Sequence, residues 1–373
     1  MKMNKEIVKS ENKKWKKFKF IEIFDIKSGF YNKKPEVEEN GNIPFIGAVD
    51  NLNGITEFYT LENIEKSSKT GDKNNHSIDK KIFRKNAICV TNNGSVGYAY
   101  YQNSDFTCSH DVNPLYLKKY ELNNEIAQFL ITAIEQQRVC FEYSRKWRPK
   151  RMIKSHIMLP IDKNSEPDYK YMEQYIKSIR QIKLEKYETY IKKQLKEIQY
   201  KKVQKLEEKE WKEFFIEELF NIRIGKNIDG NKINKQGGKI PYVTRKENCN
   251  GVNGFISYSQ DFLTVDYPVI TIGNETAEPF IQKYPFFTGT KVNILKPKQK
   301  VSEYTLKFIA TSLKAHKSKY SYSFTINSTR LKRQKIMLPV NQNLEPDYEY
   351  MEQYIKNITY KKLSNYLNYK KLL

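Results

Sequence analysis

Short apolar segments, each ended by Gly, Asn or Pro, recur through most of the chain. Examples are IPFIG at 43–47, AICV at 87–90 and NPLYL at 113–117. Apolar runs of this length between turn residues are typical of β-strands. Two stretches with apolar residues at three- and four-residue steps predict helices around 122–141 and 302–315. The pattern predicts an α+β protein with strand-rich, mixed α/β domains.

One helical pattern is much longer than the others. From Asp168 to about Glu210 there is neither Gly nor Pro, and apolar residues recur at helical spacing. This predicts an amphipathic helix of roughly 40 residues, about 60 Å long. A second copy is predicted from Asp347 to Leu373. Because a long lone helix needs cover for its apolar stripe, we expect the two to form an antiparallel coiled coil. The alternative is that each packs on its own domain.

The chain also repeats itself. EPDYKYMEQYIK at 166–177 returns as EPDYEYMEQYIK at 345–356, with eleven of twelve positions identical, and the segment that begins at Trp15 returns at Trp211. A duplication of about half the length defines the architecture before any motif is considered. The predicted parts are an N-terminal tail at 1–14, a first domain at 15–163, a central helix at 164–210, a second domain at 211–342 and a C-terminal helix at 343–373.

The charge balance adds a partner to this picture. A formal net charge of +23 and a pI of about 9.5 indicate a polyanionic partner, most simply nucleic acid. A genome biased towards A and T would enrich lysine without any functional pressure. Arginine escapes that explanation: the chain has only ten, and five lie just before the two copies of IMLP, at Arg145, Arg148, Arg151, Arg330 and Arg333. Clustered guanidinium groups suit phosphate and guanine recognition.

Several classes of protein are disfavoured. The four cysteines form no CxxC pair, which favours a reducing compartment, the cytoplasm, over a disulfide framework or a zinc site. The N-terminal sequence has no apolar core typical of a signal peptide, and no run of eighteen apolar residues predicts a membrane span. There is no phosphate-binding GxxxxGK[ST] motif. We expect no catalytic residue, no metal site and no cofactor in this chain.

Taken together, the ordered motifs resemble a known family. They are the paired Trp-start segments, NNGSVGYAYY at 92–101, the basic run YSRKWRPKR at 143–151, and the two IMLP…EPDYxYMEQYIK helix starts. From Trp15 onward the chain resembles the specificity (S) subunit of type I restriction–modification systems and the S subunits of the type IIB systems.

This resemblance implies a function. Each domain would be a target recognition domain that binds one half of a split double-stranded DNA site. The helices would set the spacer between the halves and dock two methyltransferase (M) subunits, and restriction (R) subunits would complete the complex. S-adenosylmethionine, Mg²⁺ and ATP would belong to partner subunits, and this chain would do no chemistry.

Base recognition needs side chains that reach base edges, such as Arg for guanine and Asn for adenine, whereas other cations neutralise phosphate. In the first domain the candidates are Asn92, Asn93, Ser95, Arg145, Lys146, Arg148, Lys150 and Arg151. In the second domain they are Thr244, Arg245, Lys246, Asn274, Glu275, Tyr320, Arg330 and Arg333. The Asn92–Gly94 segment is explained equally well as a turn. The aligned Arg151 and Arg330 are better suited to phosphate or structure than to a variable base.

The two halves differ most in their loops, NNGSVG against GNETAE, which predicts two different half-sites and an asymmetric target. The nearly identical helix starts predict instead a surface that binds one kind of partner twice. The candidates for partner binding are Tyr171, Glu173, Gln174, Tyr175, Tyr350, Glu352, Gln353 and Tyr354. The alternative is that these residues preserve a helix start and its contact with the domain.

Three other functions fit part of the sequence. A nonspecific or architectural DNA-binding protein explains the charge but not the duplication. A stand-alone DNA methyltransferase or nuclease lacks the required motifs. An RNA-binding protein could use the 27 Tyr and 20 Phe residues for base stacking, but most of these alternate with aliphatic residues as core residues do.

Overall fold

A computed structural model of the chain describes residues 13–36, 41–72, 76–141 and 145–372, with side chains up to Tyr369. The chain divides into two compact units with their boundary between Tyr187 and Glu188. The predicted tail at 1–12 and the first two residues of the basic run at 143–151 lie outside the described residues.

Unit 1 is a mixed α/β structure rich in strands, as predicted. Its strands and helices are, in chain order, β1 (Trp15–Lys19), α1 (Phe20–Ile23), β2 (Phe24–Ile26), β3 (Ile43–Ile46), β4 (Ile55–Tyr59), α2 (Leu61–Lys66), α3 (Ile78–Lys81), β5 (Ala87–Thr91), β6 (Ala99–Gln102), β7 (Thr107–Cys108), β8 (Val112–Leu117), α4 (Asn124–Glu135), α5 (Pro149–Met152), β9 (His156–Pro160) and α6 (Tyr169–Glu197), which continues past the unit boundary. The strands pair as β2-β8-β5-β6, β4-β3-β7 and β1-β9.

Unit 2 repeats the same topology. Its strands and helices are β10 (Trp211–Phe215), α7 (Ile216–Leu219), β11 (Phe220–Ile224), β12 (Ile240–Val243), β13 (Val252–Ile256), β14 (Val269–Gly273), β15 (Pro279–Gln282), β16 (Phe287–Thr288), β17 (Val292–Pro297), α8 (Glu303–Lys314), α9 (Ser328–Arg333), β18 (Lys335–Pro339) and α10 (Tyr348–Leu372). Its strand orders, β11-β17-β14-β15, β13-β12-β16 and β10-β18, match those of unit 1 strand for strand. The sequence duplication is therefore a structural duplication.

A fully buried central strand explains how each core is built. In β5 the side chains of Ile88 and Val90 join the apolar cluster that contains α4, whereas Ala87 and Cys89 join the cluster around β3 and β7. Successive side chains of a strand point to opposite faces, so a strand covered on both faces is apolar throughout. β14 is buried along its length in the same way. The continuous apolar runs in the sequence thus mark the middle of each sheet.

The predicted helices around 122–141 and 302–315 correspond to α4 and α8. Each begins after a residue whose side chain accepts a hydrogen bond from a backbone N–H of the first turn: Asn123 from Ile126 and Ser302 from Thr305. This capping satisfies one of the amide groups that a helix start leaves without an intrahelical partner.

The long central helix is shorter than the sequence pattern predicts. α6 has 29 residues and ends at Glu197, so the prediction of roughly 40 residues to about Glu210 is wrong. Beyond the helix end the backbone bonds to side chains of α10: Asn357 both accepts from Lys201 N (3.2 Å) and donates to Lys201 O (2.6 Å). α10 has 25 residues and closely matches its predicted bounds. No helix in the described part of the chain is both long and apolar enough to span a membrane.

Candidate nucleic-acid interface

The loop after β5, residues 92–98, is anchored by a buried asparagine. The Asn92 side chain is 1% exposed, and its amide nitrogen donates to Asn113 Oδ1 at 2.8 Å and to His110 O at 3.1 Å. Its backbone carbonyl accepts from Trp147 N at 3.1 Å. Because these bonds hold the side chain inside the unit, Asn92 has no free edge for a base. Its predicted DNA contact is corrected to a structural role.

The residues that follow Asn92 are partly exposed. Asn93 donates to Asp111 Oδ1 at 3.0 Å, and Arg148 Nη2 lies 4.0 Å from the same oxygen. Gly94 has a φ of +68°, a left-handed conformation that favours glycine, and Ser95 is half-buried. One carboxylate therefore brings Asn93 of the loop close to Arg148 of the basic run, two segments that the sequence analysis names as candidates for DNA binding.

The basic run is placed beside the loop by Trp147. This side chain is fully buried, its Nε1 donates to Ser155 Oγ at 2.9 Å, and its ring stacks on Phe141 at a centroid distance of 4.6 Å. The flanking predicted residues Arg145, Arg148, Lys150 and Arg151 are exposed, and Lys146 is half-buried. Arg151 donates to Lys146 O at 2.8 Å, which supports its structural role.

Unit 2 fixes its corresponding loop, residues 274–278, in the same way. The buried side-chain amides of Asn274 and Asn293 lie 2.7 Å apart, and Asn274 O accepts from Ile326 N at 2.8 Å. Asn274 therefore occupies the place of Asn92, and its predicted DNA contact is likewise corrected to a structural role. Two buried amides hydrogen-bonded to each other satisfy groups that would otherwise be costly to bury.

The residue after the buried asparagine differs between the two loops. Glu275, in the place of Asn93, forms an ion pair with Arg245 and lies 4.0 Å from Lys291 Nζ. The hydrogen bond to Glu275 raises the pKa of Arg245 above its ordinary value, so the guanidinium stays charged and oriented. Of the neighbouring predicted residues, Thr244 is half-buried and Lys246 is exposed.

The remaining candidates of unit 2 border an open cleft of about 720 Å³ beside the loop, or lie just beyond it. Tyr320 lines this cleft, donates to Gln334 Oε1 at 2.5 Å and stacks on Phe324 at 5.9 Å. Arg330 lies over the Phe324 ring at 4.1 Å and donates to Thr325 O at 2.6 Å, the same type of bond that Arg151 makes in unit 1. Arg333, at the end of α9, is exposed.

The structure adds residues at the loop ends that the sequence did not single out. In unit 1 the guanidinium of Arg138 lies 3.5 Å from the centre of the Tyr98 ring. At the same place in unit 2, Glu278 pairs with Lys314 (2.5 Å) and Lys317 (2.8 Å). The only signal for them was positional: alignment of the two halves pairs Arg138 with Lys317, but neither belongs to a run or motif.

The helix starts are mainly anchored to their own units. Tyr171 and Tyr350 are buried, and a lysine Nζ lies 4.8 Å from each ring centre. Those lysines pair with the aspartate just before each helix, Lys13 with Asp168 (2.5 Å) and Lys209 with Asp347 (2.8 Å).

Most of the eight predicted partner-binding residues have contacts inside their unit. The tyrosines Tyr175 and Tyr354 pack edge-on against Phe129 and Phe308. Gln353 donates to Gln199 O at 2.8 Å. Gln174 is exposed, and Glu173 and Glu352 are half-buried. The prediction is therefore corrected for Tyr171 and Tyr350, whose burial leaves little surface for another subunit.

Comparisons with known proteins agree with the repeated architecture. The family model described as "Type I restriction modification DNA specificity domain" matches residues 12–189 and again residues 208–368. The specificity subunit of the type II restriction enzyme BcgI from Heyndrickxia coagulans is 48% identical over 146 residues, which span 39% of this chain and 42% of that protein.

Two solved structures are similar at lower identity. The type I restriction–modification S subunit from M. genitalium has a TM-score of 0.48 and 16% identity, and the alignment covers 98% of this chain and 94% of that one. The HsdS subunit from Thermoanaerobacter tengcongensis has a TM-score of 0.30 and 12% identity over 95% of this chain and 90% of that one. On the strength of the family model, which matches each half separately, the chain belongs to the family of type I restriction modification DNA specificity domains and contains two of them.

Proposed function

We propose that this chain is the DNA sequence-specificity subunit of a restriction–modification complex, and that it binds a bipartite, asymmetric double-stranded DNA site. One observation carries the proposal: both units fix a loop with the same buried pair of asparagines, but the half-buried residues that follow, Asn93 and Glu275, differ. A common scaffold with different side chains at its surface is what two modules need to recognise two different short sequences.

The proposed target recognition domains are residues 15–163 and 211–342. In the first, Asn93 and Arg148, which share the Asp111 carboxylate, are suited to base edges, as are Ser95 of the loop and the exposed Arg145. In the second, the ion pair of Arg245 with Glu275 offers a guanidinium donor and a carboxylate acceptor side by side. Such a pair is suited to a G·C base pair, since Arg donates to guanine and Glu accepts from cytosine N4. Lys146, Lys150, Lys246 and Arg333 are proposed phosphate contacts.

The segments 164–210 and 343–373 are proposed to set the spacer and to dock two M subunits, with R subunits completing the complex. Helices of 29 and 25 residues are about 38–44 Å long, and we propose that they pair as an antiparallel coiled coil. S-adenosylmethionine, Mg²⁺ and ATP are assigned to partner subunits, and the chain itself is assigned no catalytic step. This function places the chain with the DNA, in the cytoplasm.

Methylation mapping tests the proposal. The full chain is purified as a complex with a co-expressed DNA adenine methyltransferase subunit from the same cell and incubated with S-adenosylmethionine and a randomised plasmid library. We expect one methylated motif with two specified halves, a spacer of fixed length and no two-fold symmetry.

Other outcomes count against specific parts of the proposal. Methylation without sequence preference would identify a nonspecific DNA-binding protein. A palindromic motif would contradict the difference between the two loops. Methylation by the chain without any partner would identify an enzyme.

A further inference from the structure

The end of the loop 92–98 contains a guanidinium group held in a fixed orientation. Arg138 is the third residue after α4, and its guanidinium carbon lies 3.5 Å from the centre of the Tyr98 ring. Gly97 makes this approach possible, because a Cβ there would lie 2.5 Å from Arg138 Cγ. Gly97 also has a φ of +81°, so other residues would be strained at this position. Stacking occupies a face of the guanidinium and not its hydrogen-bonding edge, and Arg138 as a whole is half-buried.

No anion compensates this cation in the described part of the chain. No carboxylate there pairs with Arg138, and its Nε is buried without a hydrogen-bond partner. The nearest acid along the helix, Glu135, is used instead to accept a bond from Ala99 N at 3.0 Å. An oriented, unpaired guanidinium beside the proposed DNA-binding loop is a donor that lacks its acceptor.

At the same place unit 2 has a carboxylate, Glu278, where unit 1 has the Tyr98 ring. Tyr98 directly precedes β6, and Glu278 directly precedes β15; Arg138 is the third residue after α4, and Lys317 is the third residue after α8. Glu278 is only 6% exposed and pairs with both Lys314 and Lys317. Lys314 and Lys317 of unit 2 therefore each pair with a carboxylate of the protein, whereas Arg138 of unit 1 pairs with none that the structure describes.

We propose that Arg138 is a specificity-determining residue of unit 1, whose guanidinium, oriented by Tyr98, donates to O6 and N7 of a guanine in the half-site bound by that unit. This rests on the proposed function. Phosphate oxygens accept any cation, and the chain has many exposed lysines for that purpose. Only arginine presents a rigid fork that matches the two major-groove acceptors of guanine, so the stacked geometry favours a base over a phosphate. Tyr98 is a positioning residue.

The test uses the complex of the full chain with its methyltransferase and the motif found for the wild type. Arg138→Lys keeps the charge but loses the fork, and Arg138→Gln loses both. We expect either change to relax one guanine position in one half-site by about 5- to 150-fold, while the other half-site is unchanged. Tyr98→Leu should relax the same position and Tyr98→Phe should not. Lys317→Gln is the matched control in unit 2 and should leave the unit 1 half-site unaltered.

A binding measurement identifies the atom that is contacted. Replacing the guanine by 7-deazaguanine removes the N7 acceptor, so it should weaken binding by the wild type and have no further effect on Arg138→Gln. Fluorescence anisotropy with labelled duplexes measures this coupling, and circular dichroism confirms that each variant is folded.

Three results would overturn the assignment of Arg138. One is a unit 1 half-site without guanine. Another is evidence for a phosphate contact. In that case Arg138→Lys would leave the motif unchanged, and Arg138→Gln would weaken binding to all sequences equally and reduce its salt dependence. The third is an equal effect of 7-deazaguanine on both proteins. If the wild type instead shows no split motif at all, the proposed function itself fails.

Discussion

Buried polar side chains determine which residues of the loops remain available for a ligand. The Asn92–Asn113 and Asn274–Asn293 pairs are almost fully buried and belong to the fold. Each pair ties the end of one strand to its neighbour and leaves the next residue, Asn93 or Glu275, half-buried. A buried hydrogen bond between two side-chain amides stabilises the loop geometry. The adjacent side chains are the ones left for the proposed contacts with DNA.

Glu278 gives a prediction at the level of one residue. Burial by itself would raise the pKa of this carboxyl, but hydrogen bonds from Lys314 and Lys317 outweigh it and hold the pKa below the ordinary value of 4.5. A depressed folded-state pKa contributes stability above the unfolded-state pKa, and this contribution is lost as the pH falls through the folded-state value. We expect Glu278→Gln to lower the free energy of unfolding of unit 2 by about 1–2 kcal/mol at pH 7.

The difference between Glu278→Gln and the wild type should shrink towards zero below pH 4.5, where the wild-type carboxyl becomes protonated. Hydrogen exchange of peptides from β15 and α8 across this pH range measures it. Glu213→Gln is the control, because Glu213 and Lys335 form an exposed pair whose loss should cost less than about 0.5 kcal/mol. A difference independent of pH would show that the ionised carboxylate is not the source.

At this scale the sequence predicts residue types better than residue roles. It names basic residues that the structure leaves exposed, Arg145, Arg148 and Lys150, and their contact with DNA stays a prediction. It cannot distinguish Asn92 from Asn93, because burial of Asn92 depends on Asn113 and on Trp147, which lie 21 and 55 residues further along the chain. The sequence also gives no indication of a role for Arg138, since its partner Tyr98 lies in a different part of the chain.

Among the helices and strands, the end of α6 could not be predicted from the apolar pattern of the sequence. Nothing between Asp168 and Glu210 is a helix breaker, so the apolar periodicity predicts one continuous helix. Instead, the backbone after Glu197 forms hydrogen bonds with Asn357, Gln353 and Tyr350 of α10. These partners are about 150 residues away in sequence. They supply hydrogen-bond partners for backbone groups that an extra turn of helix would otherwise have paired. Strand positions were better predicted, because a strand buried on both faces is apolar throughout.

This contact can be tested with one side chain. Asn357→Leu removes the donor to Lys201 O and the acceptor from Lys201 N. Since a hydrogen bond contributes about 1 kcal/mol, we expect exchange of the Lys201 amide hydrogen to become about fivefold faster. Hydrogen–deuterium exchange with mass spectrometry of peptides covering 198–206 measures this.

Ser178→Ala, at the corresponding position of α6, is the control and should leave the exchange of these peptides unchanged. Unaltered exchange in Asn357→Leu would show that other contacts hold the segment.

For the whole molecule, the duplication and the excess of positive charge were predictable because neither depends on a particular contact. Two units of identical strand order confirm the duplication. The similarity of the two helix starts was harder to interpret. The buried tyrosines of both copies account for much of it through packing within each unit, which leaves Glu173 and Glu352 as the better candidates for a shared partner surface.

Charge reversal at both helix starts tests the proposed docking of two M subunits. Glu173 and Glu352 each pair with a lysine four residues later, at 2.5 Å. We expect the double variant Glu173→Lys, Glu352→Lys to weaken association with the methyltransferase subunit about tenfold or more. The reason is that a partner surface complementary to two glutamates would repel two lysines. Analytical ultracentrifugation of the mixed subunits measures this.

The matched control is Glu62→Lys, since Glu62 and Lys66 form the same kind of pair on α2. It should leave association unchanged. Equal association of the double variant and the wild type would mean that the helix starts are identical for reasons of folding alone.

The strand pairing at the base of each unit has a consequence for how such a chain can change over generations. β1 lies antiparallel to β9 with Trp15 opposite Pro160, and β10 lies antiparallel to β18 with Trp211 opposite Pro339. The polypeptide thus enters and leaves the strand-rich part of each unit at neighbouring points. Equivalent ion pairs, Lys13 with Asp168 and Lys209 with Asp347, join the two ends in both units. A recombination event at these junctions could replace a whole unit at once, which on the proposed function would give a new DNA target in a single genetic step.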